Sequence, residues 1–490
     1  MKERSVIVVG GGFAGLSAAC HLAADGADVT LLEKNDRLGG LGEQFSEDGF
    51  QFDAGPTWYM MPDVIGRFFK DFGRSPADYY SLKRLDPSYR VYFKDGDSID
   101  ITTDRTVLCE RFETYEPGAG DALNEYLTAA KRTYETSMEA FVYTDRPRFR
   151  DWVGRDVLEA GPIGLQLWGS LDGYTRKFFD SQKLRQIVQY TAVFLGGSPQ
   201  KTPRLYHMMS HIDLTQGVYY PEGGIGGVVT AVTDLATDLG VTIETGVEVT
   251  EIARGRNGFF VAAGDTIRRS DAVVSDADYA HTELALLPEH ERQYTPNYWE
   301  RREYGPSAFI TFLGIDRELP ELEHHNIVMP VGWDTHFRQI YEERAWPTDP
   351  VYYVCNVSRT DPTTAPQGQS AVTISTAVPA GSEDSPEIRE RYRDRILTDL
   401  AASTGVDVTG DVVFERTRTV SDFANRFNAR HGSLGLAQSL RQTGPARPGH
   451  RSKTIDGLYY AGSATNPGVG VPICLISGKH AAACVQEDFS

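Results

Sequence analysis

"RSVIVVGGGFAGLSAACHLAADGADVTLLEK", residues Arg4 to Lys34, decides the fold. Ser5 to Val9 is a β-branched apolar run, the pattern of a strand buried on both faces. Gly10, Gly12 and Gly15 follow as G-x-G-x-x-G. In that spacing the first glycine permits the tight turn and the second lets backbone approach a pyrophosphate. The third lets helix pack on strand. Leu16 to Ala24 reads as a helix whose N-terminal amides and dipole face the phosphates, and Gly26 ends it. Ala27 to Leu32 is a second strand, closed by Glu33, where a carboxylate can accept both ribose hydroxyls. Strand, glycine turn, helix, strand and acid in this order predict a Rossmann-like dinucleotide site. Glu33 disfavours a ribose 2′-phosphate and hence NADP.

The bulk composition narrows the class. The 490 residues suffice for two or three structural units, and 40% hydrophobic with 24% charged residues is ordinary for a globular chain. No run approaches the ~18 apolar residues of a spanning helix. Met1 to Ala19 has the basic start and apolar run of a signal peptide, yet its interrupting glycines and the strand that follows make it a fold element. A net charge of −19 argues against nucleic acid and against electrostatic docking on anionic lipid. The five cysteines (Cys20, Cys109, Cys355, Cys474, Cys484) show no ligand-like spacing, which suits reduced, mostly buried thiols.

Further motifs lie along the chain. "EKNDRLGGLGEQF" adds Gly39 and Gly40, and "DGFQFDAGPTWYMMPD" follows directly. From Glu110 to about Met209 the pattern is helical, with Leu123, Tyr126, Leu127 and Ala130 at helical spacing. "GPIGLQLWGSLDGY", residues 161–174, is its most apolar piece and reads either as a core helix or as a wedge for a membrane. Gly223, Gly224, Gly226 and Gly227 precede a helix from Val228 to Leu239 and a strand from Thr242 to Val249. Their spacing is not G-x-G-x-x-G, so a second dinucleotide site is not expected. "AVVSDAD", residues 272–278, should return to the first sheet. Strand-like runs between 285 and 420 suit a mixed or antiparallel sheet with a substrate chamber. His207 and His211 stand at i, i+4 but lack a third ligand or an H-E-x-x-H pattern, so no metal is expected. Near the end, "GLYYAGSATNPGVGVPICLISGK" repeats a strand–glycine–helix unit.

"VVGGGFAGLSAA", "DAGPTWYMMPDV", "VYYPEGGIGGVV" and "RSKTIDGLYYAGSATNPGVGVPICLISGK" occur in one order along the whole length. In these stretches the chain resembles the bacterial and archaeal phytoene desaturase family, FAD-dependent carotenoid desaturases within the amine oxidase-like superfamily. The resemblance implies an α/β fold: a Rossmann-like FAD-binding domain of the GR2 flavoprotein type, discontinuous over 1–80, 215–284 and 430–490. A substrate domain of mixed or antiparallel sheet would span 285–429, and a helical, membrane-facing region 81–214. It implies that Gly10, Gly12, Phe13, Ala14 and Gly15 cradle the FAD pyrophosphate, with Glu33 and Lys34 beside the adenosine ribose. Gly39, Gly40, Gly55, Pro56 and Thr57 would flank phosphates and flavin, and Val249 the adenine. Gly462, Ser463, Gly470, Val471 and Pro472 would close over the isoalloxazine, making the C-terminal unit the far wall of one site. Leu41 departs from the family, which carries Arg or Lys after the glycine pair; Arg37 is the nearby basic residue.

The implied reaction is desaturation of a C40 hydrocarbon: hydride transfer to flavin N5 plus proton loss, foremost from phytoene towards lycopene. A carotenoid 3,4-desaturase acting on lycopene-type or hydroxylated carotenoids is the alternative. An amine oxidase lacks support because "GSATNPGVGVP" has no "GE". A non-enzymatic prenyl- or lipid-binding protein would have lost the intact fingerprint. The hydrogens removed are not acidic, so no acid–base pair is assigned and the catalytic residues stay unknown; the cofactor carries the chemistry. A membrane-dissolved substrate implies peripheral, mainly hydrophobic attachment at the inner face of the cell membrane, in the cytoplasm. Quinone or oxygen would accept the electrons.

Overall fold

The computed structural model describes residues 4–146, 169–193, 197–432 and 435–489. Its first unit is a five-stranded, all-parallel sheet. β1 (Ser5–Val9), α1 (Phe13–Ala24) and β2 (Asp28–Glu33) form the expected βαβ start. They are joined by α2 (Gly224–Asp238), β3 (Thr242–Thr245), β4 (Ala272–Ser275), β5 (Leu458–Tyr460) and α3 (Val471–Phe489). The strand order is β5-β4-β1-β2-β3. Sequence-distant segments thus make one sheet, and Val6 and Val8 are buried among α1, α2 and α3. The expected strand from Thr242 to Val249 is two strands: the chain breaks at Gly246 (φ +70°), and Val249 opens an antiparallel meander over Val249–Gly255, Gly258–Ala263 and Thr266–Ser270.

α1 and α3 cross at a glycine. A Cβ on Gly478 would lie 2.2 Å from the Ala14 carbonyl oxygen and 2.7 Å from Ser17 Cβ. The crossing is therefore closer than any larger residue allows. Ser17 Oγ also donates to the Leu475 carbonyl at 2.6 Å.

The second unit is a seven-stranded mixed sheet. Its order is Val412–Arg418, Ser307–Ile315, Ser370–Val378, Tyr352–Asn356, His325–Met329, Tyr89–Phe93 and Ser98–Ile101. All neighbours are antiparallel except His325–Met329 beside Tyr89–Phe93. The last two strands come from the stretch read as helical, 81–214, which is a correction. "YRVYF" and "SIDI" alternate over a hairpin too short to show against the helical pattern beyond them. From Arg105 the stretch is helical, and Leu123, Tyr126, Leu127 and Ala130 are buried.

Residues 161–168 of the apolar wedge lie outside the described residues; Leu171 is fully buried. Among the described residues no helix is long and apolar enough to cross a membrane. His207 and His211 are core residues: His207 Nδ1 bonds to the Arg204 carbonyl at 2.9 Å, and the His211 ring packs on Tyr134.

Candidate FAD and substrate site

A cleft of about 570 Å³ runs from the C-terminal ends of β1, β2 and β4 to the face of the seven-stranded sheet. Every residue expected at the cofactor lines it except Gly15 and Pro472. Gly15 acts one layer behind: its Cβ would lie 2.1 Å from the Gly10 carbonyl oxygen, so it holds helix to turn. Pro472 is the second residue of α3 and stands off the wall.

The turn at Gly10 (φ +100°) places Gly12 at the N-terminus of α1 as a cap with no side chain, and the third amide, Gly15 N–H, is taken by Asp276 Oδ2 at 2.8 Å. Gly39 donates its N–H to the Gly11 carbonyl at 2.8 Å, and a Cβ on Gly40 would meet Gly12 Cα at 3.3 Å. The glycine pair therefore forms the opposite lip of the phosphate turn. Gly55 lies against Leu41, where a Cβ would sit 2.0 Å from the carbonyl oxygen. From the far end Gly462 (φ +102°) and Gly470 (φ +122°) bring backbone to the cleft, and α3 directs its N-terminus at it through Val471 and Cys474. A glycine cradle at a helix N-terminus and a long cleft fit a dinucleotide at one end and its ring system at the other.

The polar groups differ in detail from the expectation. Glu33 Oε2 accepts the Gly11 N–H at 2.8 Å, and Oε1 accepts both nitrogens of Asn35. Lys34 reaches across to Asn428 Oδ1 at 2.9 Å, and burial lowers its pKa. Leu41 lines the cleft, whereas Arg37 points to the Gln44 carbonyl at 2.9 Å and is not on the wall. The N-terminus of α2 holds a carboxylate: Asp53 accepts from Ile225 N at 2.8 Å and Gly226 N at 3.0 Å. Burial pushes the Asp53 carboxyl up to about 6.

Sequence reasoning missed several supports. Buried Glu43, just after the glycine pair, pairs with Arg418 (2.8 Å) and Arg426 (2.5 Å), tying the turn to the second sheet. Arg447 is buried, donating to the carbonyls of Thr465 (2.8 Å), Gln442 and Ser463 and to Gln438 Oε1, with no carboxylate partner among its bonds. It fixes the turn after Gly462. Arg447→Met should orphan these acceptors, lower stability by about 3 kcal/mol and reduce flavin content per chain, read by absorbance and thermal melting.

The other end of the cleft is apolar and aromatic. Trp58, Tyr190, Tyr352 and Tyr353 line it with Ile310 and Val351. Thr57 Oγ1 and Tyr353 OH are 2.8 Å apart, and Tyr353 OH meets His325 Nδ1 at 2.5 Å. Trp58 stacks on the His325 ring at 4.8 Å. Burial holds His325 well below the usual imidazole range and His324 down to about 3, so both are neutral. His324, His325 and Cys355 have ligand-type atoms within 4.8 Å of one another. Both Nδ1 atoms are already bonded to hydroxyls, His324 to Thr360 at 2.7 Å. Among the described lining residues the carboxylates are Glu33, Glu248, Asp276 and Asp278, all at the nucleotide end. The apolar end therefore offers no strong base, and suits oxidation of an unactivated hydrocarbon by a cofactor.

Fold and site together define an FAD-dependent oxidoreductase. The profile of the flavin containing amine oxidoreductases matches residues 13–486, and the chain belongs to that family, among its carotenoid desaturases. It is 53% identical, over 100% of this chain and 99% of the other, to a carotenoid 3,4-desaturase from Haloarcula japonica. A 4,4′-diapophytoene desaturase from Staphylococcus haemolyticus is 32% identical over 99% of both chains. A zeta-carotene-forming phytoene desaturase from Myxococcus xanthus is 32% identical over 98% of this chain and 93% of its own. Among solved structures, an oxidoreductase from Methanosarcina mazei superposes with TM-score 0.62 at 18% identity, covering 99% of this chain and all of its own. A putrescine oxidase gives 0.63 at 15%, covering 99% of each chain. These last two bear on the fold alone.

Proposed function

We propose that the protein is a carotenoid 3,4-desaturase acting on a lycopene-type or hydroxylated C40 carotenoid. The observation that carries this reading is the 53% identity to the Haloarcula enzyme over both full lengths, against 32% to the phytoene-type enzymes. Conversion of phytoene towards lycopene is the second reading, favoured by the Myxococcus relative.

Bound FAD supplies the hydride acceptor. The chain's own residues do the rest. The apolar end of the cleft holds the hydrocarbon by shape and excludes water. Hydride loss beside a long polyene leaves an allylic cation, and a wall that carries the aromatic rings of Trp58, Tyr190 and Tyr353 favours such a charge. The neighbouring C–H then becomes strongly acidic, and a hydroxyl oxygen suffices to take its proton. The Thr57–Tyr353 pair presents such an oxygen at the wall. α3 aims its positive end into the same cleft through Val471 and Cys474, where it would favour negative charge on a bound flavin ring.

The same reading puts the enzyme on the inner face of the cell membrane, held mainly by hydrophobic contact, with quinone or oxygen as electron acceptor. Anaerobic incubation of the FAD-loaded enzyme with lycopene or phytoene in liposomes tests the substrate. Bleaching of the oxidised flavin with lycopene and not with phytoene is expected. Bleaching with phytoene alone would move the assignment to the second reading, and bleaching with neither would remove both. Reoxidation of the bleached enzyme by added quinone or by air identifies the acceptor, and co-sedimentation with liposomes tests attachment.

A further inference from the structure

Asp276, the first residue after β4, occupies the place where the pyrophosphate cradle and the C-terminal turn meet. Its Oδ2 accepts the Gly15 N–H of α1 at 2.8 Å. A Cβ added to Gly12 would lie 2.6 Å from Oδ2, and one added to Gly462 would lie 2.7 Å from Oδ1. One carboxylate is thus wedged between the two backbone segments that flank the cofactor. A helix N-terminus that is to receive a dianionic pyrophosphate already holds an anion.

Among the described residues no cation is bonded to it. Lys34 is the lining residue with a formal positive charge among those described, and its amine is turned to Asn428. Leu41 supplies none, and burial disfavours the charged form of His281. The titratable groups that act on Asp276 are Glu33 at the end of β2 and the Cys474 thiol in the first turn of α3, and the buried Arg447 guanidinium acts on that thiol in turn. Glu33 is an acid, and burial pushes the Cys474 thiol up to about 12, leaving it neutral. Burial and Glu33 push the Asp276 carboxyl itself up to about 7.

We propose that Asp276 is a proton-linked determinant of FAD binding: the apoprotein takes up one proton on this carboxylate as it binds the dinucleotide. The balance is simple. FAD dianion, protein carboxylate and one proton from solvent give a complex with a neutral carboxylic acid, and no other bond changes. The neutral acid keeps the Gly15 bond through one oxygen. The other, facing Gly462, becomes an O–H donor instead of a repelling charge. FAD affinity therefore falls as pH rises through the titration of Asp276.

Full-length protein stripped of flavin and titrated with FAD, from about pH 5.5 to about 8.5 at constant ionic strength, tests this through quenching of flavin fluorescence. The wild-type Kd should rise by up to about tenfold per pH unit above the Asp276 titration. Asp276→Asn, which can keep the Gly15 bond through its amide oxygen, should remove the dependence. At the alkaline end it should bind about tenfold tighter than wild type, or more. Calorimetry in buffers of different ionisation enthalpy should give about one proton taken up by wild type at pH ~8 and none by the variant. Absence of proton uptake by wild type would overturn the proposal, and this arm needs no variant to fold. Weaker binding by a folded Asp276→Asn at every pH would also overturn it. So would a wild-type Kd that responds to added Mg²⁺ and not to pH, because a cation would then be neutralising the carboxylate.

Discussion

Gly478→Val is expected to strip the protein of flavin and to lower its stability by about 3 kcal/mol or more. The methine Cβ alone would stand 2.2 Å from Ala14 O, 2.7 Å from Ser17 Cβ and 2.8 Å from Ala18 N. The first and last of these are backbone atoms, so no rotamer relieves the clash and α3 must move away from α1. α1 carries the phosphate turn and α3 carries Val471 and Cys474 of the opposite wall, so their separation opens the cleft from both ends. Thermal melting and the ratio of flavin to protein absorbance check this. A variant with the wild-type melting temperature and full flavin would show that the crossing is not constrained as described.

Asp213→Asn is expected to stabilise the protein above neutral pH and not below about pH 4. Asp213 is fully buried; Oδ2 accepts the Tyr89 hydroxyl at 2.7 Å and Oδ1 has no partner. Burial pushes its carboxyl up to about 7 from the unfolded value of 3.8. A carboxyl raised on folding contributes its full stability below the unfolded value and loses it as pH climbs through the folded one. Ionised at pH ~8, it costs about 4 kcal/mol, and a neutral amide escapes that cost while leaving its own donor underused. A gain of about 1–3 kcal/mol at pH ~8 should remain, vanishing at pH ~4. Denaturant melts of both proteins at the two pH values decide it; an equal effect at both would mean that Asp213 is not ionised in the folded protein. Asp53 and Asp278, both pushed to about 6 by burial, add to the wild-type trend with the same sign.

The cofactor end was legible in the sequence because its constraints are local. G-x-G-x-x-G works through backbone turns and helix packing within a dozen residues, so strand, turn, helix and acid could be read in order, and strands were also read at 272–278 and 458–461, where the structure has 272–275 and 458–460. The meander after Gly246 and the hairpin of Tyr89–Ile101 were not legible. Short strands become distinct only through partners far along the chain: Tyr89–Phe93 pairs with His325–Met329.

The sequence by itself therefore determined the class of fold, the kind of cofactor and the segments that hold it, since glycines and β-branched runs act on the backbone next to them. Only the tertiary structure decided where the charges go. Asp276 stands 261 residues from Gly15, and Glu43 is 383 from Arg426. At such separations a carboxylate has no fixed neighbour until the sheet has closed. Whether it caps a helix, binds an arginine or must give way to a pyrophosphate is set by burial and by the groups folding brings within hydrogen-bond reach.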